Sequence, residues 1–395
     1  MPPHEDFYLT DKPTLRLFTE DPVDSLWEQL SLYESHTLAK RLLEQKADAA
    51  SINLTSNILE AKAKAISSCI RNARDNINNI SKSSTVQVTS NYYGCLWLCA
   101  AVAAADPAND ADLAKLEKST KGGHGLQNVA DDSGQFPDSE FVYLRETGLL
   151  ADLLKWSGMN AQTLKNISPK SSIKDFAKAS VDDKGLLVSL ADLLARIPEL
   201  KGLYEDILGK KSLCIPLVSD VSRNIAERMP PINFTSKPNV QPPNPGHFRV
   251  HLSGTLGMSK TQVDDLGIPA AEFEENPGKD WNAKFTDSES LPWAKSFPTY
   301  HSSLAGTWNI WIVPLLGSIQ DPLFIHMMAL YELSIFARYR PAVWHEILEG
   351  SYDQYRILIQ SYLRLFSRLG PELALTKLID RNVLVIPPGG LFGPG

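Results

Sequence analysis

The chain has 395 residues, 43% of them hydrophobic and 22% charged, with a formal net charge of −7. This is the balance of a soluble globular protein long enough for one sizeable core or two, and it excludes a generally basic nucleic-acid coat while leaving room for a local basic cleft. Four cysteines, Cys69, Cys95, Cys99 and Cys214, do not amount to a disulfide scaffold at this length, and Cys95 and Cys99, four apart on an apolar helix, read as small core residues.

The opening MPPHEDFYLTDKP has no basic segment followed by an apolar run, and the longest apolar stretch is shorter than a bilayer span and carries His326 and Glu332. A cytoplasmic protein with no membrane partner is expected. Asp24 or Ser25 caps a first helix reaching Gln45. Ile58, Ala61, Ala65, Cys69, Ala73 and Ile77 recur at helical steps and predict a second. The polar, β-branched SKSSTVQVTS is expected to interrupt the helices. Ser90 or Thr89 then caps NYYGCLWLCAAVAAA, whose small residues permit close helix packing. The glycine-rich KGGHGL places His124 in a turn, where it is either a hydrogen-bonded structural residue or a catalytic one.

A short strand is predicted at residues 141–144 and a helix from Gly148. Two helices separated by Ile197–Leu200 occupy residues 186–208. Strands follow at 214–218, 247–252 and 307–313, with a proline-rich loop over 229–246. GTLGMSKT, at residues 254–261, lacks the glycine-lysine spacing of a phosphate loop. His247 and His251 share a strand face without a third metal ligand.

Asp321-Pro322 starts a helix that is apolar on nearly all sides, hence buried all round. Pro341 predicts a break at Tyr339-Arg340 and a second helix to about Leu348. A long helix over 352–369 and another over 371–379 complete the expected set. Within this stretch, Arg340-x4-His345, or alternatively Arg338-x6-His345, sets a guanidinium and an imidazole on one side of a helix start, facing one anion. In the structural reading, Arg338 and Arg340 satisfy the last carbonyls of the buried helix over Trp344. In the chemical reading, His345 moves a proton at a ribose 2′-hydroxyl while Arg340 stabilises charge on the phosphate.

Trp27-x-x-Leu30 with Tyr33-Glu34-Ser35, Tyr92-Tyr93-Gly94 before an alanine-rich helix, and His124-Gly125-Leu126 come first in a series of landmarks. Leu193-Leu194, Ile197-Pro198-Glu199-Leu200, Tyr204, and Arg338-Tyr339 with Pro341 and Trp344 follow in the same series. In this order they resemble the YaaC-like family of bacterial proteins. More loosely, Tyr92-Tyr93, His124-Gly125 and Arg340-x4-His345 are similar to the motifs of HEPN helical domains. That second resemblance implies a metal-independent endoribonuclease or toxin-type effector in anti-phage defence, dimeric across a two-fold groove. Arg340, His345, Arg338 and His124 are then the catalytic candidates, RNA is the substrate, and no cofactor or metal is implied. The first resemblance alone implies a non-catalytic interaction or regulatory subunit of a larger defence complex.

The expected fold is mainly α: a HEPN-like bundle of N-terminal helices (1–125) and C-terminal helices (321–395), with an α+β region inserted at 126–320. Packing of the two helical blocks is expected to bring His124 near Arg340 and His345.

Overall fold

The structure, a computed structural model, describes residues 12–78, 83–158, 173, 175–219, 247–270, 272–276, 278, 280–286, 299–304 and 306–386. The proline-rich loop expected over 229–246 lies outside them. After strand β1 (Thr14–Phe18) come helices α1 (Pro22–Ser31), α2 (His36–Ala49), α3 (Ser56–Ile77), α4 (Ser84–Ala104) and α5 (Leu113–Lys121). The middle region begins with β2 (Leu126–Ala130), β3 (Glu140–Leu144), α6 (Leu149–Trp156), α7 (Val181–Lys184), β4 (Leu187–Ser189), α8 (Leu190–Leu194) and α9 (Lys201–Leu208). It continues with β5 (Cys214–Ser219), β6 (His247–Leu252), α10 (Lys260–Asp264), β7 (Glu272–Glu275), β8 (Trp281–Thr286), β9 (Tyr300–Ser302) and β10 (Gly306–Ile312). Then follow α11 (Pro322–Tyr339), α12 (Pro341–Glu349), α13 (Arg356–Ile379) and β11 (Asn382–Ile386). The protein is mainly helical, with strands.

Helix α4 is the centre, packed against α3, α11 and α13. Its small residues allow this: the Gly94 backbone lies directly on Ile77 of α3, leaving no room for a Cβ. Asn91 donates to the Leu363 carbonyl of α13 at 2.8 Å, so the one amide on this face is satisfied. Every residue of α11 from 323 to 334 is buried, as its all-round apolar character requires. Each fully buried Leu or Met there contributes roughly 1.5–3 kcal/mol.

The strands form three sheets. β1 and β11 pair in parallel, β2-β3-β4 are antiparallel, and the largest runs β7-β8-β6-β5-β10-β9 with antiparallel neighbours. The large sheet has a core of its own, in which Val250, Leu252, Ala283 and Trp311 pack with Val263 of α10. Its edge strand β9 docks on the helices: Tyr300 donates to Glu199 at 2.6 Å, Ser303 to Glu372 at 2.6 Å, and Arg368 of α13 to the Ser303 hydroxyl at 2.8 Å.

Four local expectations change. The first helix is capped by Asp21 with Pro22 behind it, and it is split because Ser35 turns extended to cap α2. α4 begins at Ser84, so the β-branched stretch Thr85–Thr89 is helical; Val88 is buried and Trp344 Nε1 donates to Thr85 Oγ1 at 2.8 Å, and this packing outweighs propensity. Residues 187–189 are a strand, paired with β3. α13 runs unbroken through Pro371, which is buried in the helical core along with its neighbours, and burial offsets the missing hydrogen bond. The break at Arg340 stands where Pro341 puts it, with Arg340 at φ −128° and Pro341 opening α12.

Candidate functional site

The turn carrying His124 is built from glycines. Gly123 and Gly125 have φ of +90° and +76°, and the backbone crosses Gly148, at φ +110°, so closely that a Cβ there would lie 2.6 Å from the Gly125 nitrogen. The first amides of α6 need acceptors, and the turn supplies them: Leu149 and Leu150 donate to the Gly123 and His124 carbonyls, each at 3.0 Å. Arg145 donates to the Gly125 carbonyl at 2.9 Å. The His124 backbone is therefore pinned between α6 and β3.

Its ring sits among tyrosines from two helices, with centroids 5.6 Å from Tyr92 and 6.4 Å from Tyr93 of α4, and 6.5 Å from Tyr331 of α11. Burial, and next the Arg338 charge, hold the imidazole below its ordinary pKa, so it is neutral at physiological pH. Nδ1 of His124 and the hydroxyl of Tyr92 are buried without a hydrogen-bond partner among the described residues. Tyr331 donates to the Leu126 carbonyl at 3.1 Å, and burial raises its phenol to about 12.

Arg338 completes this group. Its guanidinium donates to the Ser334 carbonyl at 3.2 Å, the Ser334 hydroxyl at 3.0 Å and the Tyr93 hydroxyl at 3.3 Å. It lies over the rings of Tyr92, Tyr93 and Tyr339 at 5.9, 5.8 and 4.9 Å. Because Tyr93 accepts from Arg338, its own proton is left to donate elsewhere.

Arg340 points to a different cluster. It forms a two-pronged ion pair with Glu140 of β3, one arm at 3.0 Å, and reaches Asn128 at 3.5 Å. Asn128 in turn donates to Glu332 of α11. Glu332 is fully buried, and desolvation, followed by the Glu140 charge, pushes its carboxyl well above the ordinary range. His345 is exposed on α12, one turn past Pro341.

The structure thus brings His124 together with Arg338, and engages Arg340 with Glu140. Tyr331, Asn128, Glu140 and Glu332 were not singled out from sequence as site residues. The signal for Glu332 was present, since a carboxylate within a helix apolar on every face must be neutralised or paired. The partners on β2 and β3 leave no comparable trace.

Next to the His124 turn, Gly122 and Gly148 line a cleft of about 610 Å³ that also holds Lys115, Lys118, Lys155 and Trp156. Lys115 is paired with Asp110 and Lys155 with Asp152. Among the described residues no three His, Cys, Asp or Glu side chains gather to hold a metal ion, and no helix is long and apolar enough to cross a membrane.

Comparison with curated proteins and with solved structures gives no match. A family model described as YaaC-like Protein matches residues 31–378, a span that runs from the end of α1 almost to the end of α13 and includes the His124 turn, Arg338 and the Arg340–Glu140 pair. The chain belongs to the YaaC-like family.

Proposed function

We propose that the His124–Arg338–Tyr93 group is an acid–base site acting on a phosphodiester, and that the protein is a HEPN-like ribonuclease using side chains alone. The observation that carries this reading is the half-buried, neutral His124 held beside a fixed guanidinium. A neutral imidazole accepts the proton of a ribose 2′-hydroxyl. The oxygen then attacks the adjacent phosphorus, the bond to O5′ breaks, and the proton passes to O5′, leaving a 2′,3′-cyclic phosphate and a 5′-hydroxyl. Arg338 faces the charge that develops on the phosphate oxygens, and the Tyr93 proton is free to join it. In this reading Arg338, rather than Arg340, is the functional arginine, and His345 stands outside the chemistry. The wider role implied by the HEPN resemblance, a dimeric effector of anti-phage defence in the bacterial cytoplasm, goes with it.

The test is incubation of labelled single-stranded and transfer RNA with the protein in chelator. The expected result is cleavage by wild type with 2′,3′-cyclic ends, absent in a folded His124→Gln protein. Equal cleavage by both would overturn the assignment.

A second reading, a non-catalytic interaction subunit, is favoured by the Arg340–Glu140 pair, which commits that arginine to the fold. Absence of cleavage by wild type would select it.

A further inference from the structure

Tyr339 is the last residue of α11, and it is 68% exposed at the end of a helix otherwise sunk in the core. Its ring is not free to wander, because it lies against the Arg338 guanidinium, 4.9 Å from the ring centroid. That guanidinium is itself fixed by Ser334, twice, and by Tyr93. The chain break imposed by Arg340 and Pro341 fixes the backbone immediately after it. The outcome is an aromatic face presented to solvent on a rigid cationic support, and the same guanidinium acts on His124.

We propose that Tyr339 is a base-stacking platform that receives an unpaired nucleobase next to the phosphate addressed by Arg338 and His124. Every base offers a π-face, so such a platform selects single strands without selecting sequence. A base within a duplex is stacked on its neighbours and is not available to it. The guanidinium beneath the ring adds cation–π attraction and keeps the ring in place before the strand arrives. The proposal rests on the ribonuclease reading for its ligand, but it concerns binding rather than cleavage.

The experiment measures binding of a fluorescent single-stranded oligonucleotide of about ten residues, fully 2′-O-methylated so that no 2′-hydroxyl can react, to wild type, Tyr339→Phe and Tyr339→Ala. A duplex of the same sequence is the comparison. Tyr339 is exposed, so both variants are expected to fold, and equal melting temperatures check this. The expected result is binding of the single strand by wild type and Tyr339→Phe, with about ten-fold weaker binding by Tyr339→Ala and no such difference for the duplex. Equal affinity of wild type and Tyr339→Ala for the single strand, or no binding by wild type, would overturn the platform. Tyr339-dependent binding without RNA cleavage would uphold the platform and remove the catalytic reading. His124-dependent cleavage with Tyr339-independent binding would do the reverse.

Discussion

Arg340 and Glu140, 200 residues apart in the chain, meet in a two-pronged ion pair in which the arginine side chain is 27% exposed and the carboxylate 8%. The pair ties the end of α11 to β3, and it stands beside the buried carboxyl of Glu332. Removing only the cation would leave a buried carboxylate without a partner. Arg340→Met is therefore expected to destabilise the protein by about 3 kcal/mol, and the double variant Arg340→Met/Glu140→Leu to recover most of the loss. Denaturant unfolding of the three proteins checks this, and an unchanged midpoint for the single variant would contradict it.

Gly148 supports His124 by letting two backbones cross. A Gly148→Ala protein must move the Gly125 nitrogen and the Gly123 carbonyl, 2.6 and 2.8 Å from the new Cβ, and must also hold alanine at φ +110°. A loss of about 2–4 kcal/mol is expected, whereas Gly123→Ala, where nothing lies near the new Cβ, costs about 1 kcal/mol from its backbone conformation alone. Thermal unfolding of the two variants separates them; equal losses would contradict the crossing argument.

The proposed base has a pH signature. Burial first, and the Arg338 charge second, hold His124 below its ordinary value. The acid limb of kcat/KM is thus expected below about pH 6.5, the ordinary histidine value. Arg338→Met removes the cationic part of that effect, so the limb should move upward even as the rate falls. A limb that stays in place in the variant would show that another group titrates.

His326 predicts acid lability of the fold. It is buried in α11, stacked on Tyr362 of α13 with Nδ1 3.2 Å from the tyrosine hydroxyl, and burial pushes its pKa down to about 3. Lowering of a base means that the unfolded chain takes up the proton first. Its contribution to stability is complete above the ordinary histidine value, and is lost as pH falls from about 6.5 towards 3, at up to about 1.4 kcal/mol per pH unit. His326→Gln should unfold with a shallower dependence on pH over that window. Identical slopes for the two proteins would contradict this.

Much of the helical framework was legible because its signals are local. Asp321-Pro322, the all-round apolar run of α11 and Pro341 each act within a few residues, and the structure follows them. The start of α4 and the continuity of α13 were not legible, since Thr85–Thr89 and Pro371 are held helical by neighbours far along the chain. For the candidate site, the residue types were visible and their grouping was not. Arg338 and Arg340 differ by two positions on one helix end, and that step turns one towards Tyr93 and the other towards Glu140. Only the packing of β2 and β3 against α11 decides between them. The spacing to His345 carries no such information, because Pro341 starts a separate helix between them.

The most direct measurement of the central claim is RNA cleavage in chelator by His124→Ala and His345→Ala proteins, each checked for folding, against wild type. The account predicts that His124→Ala loses cleavage while His345→Ala keeps it. Loss in His345→Ala with retention in His124→Ala, or no cleavage by wild type, would contradict it.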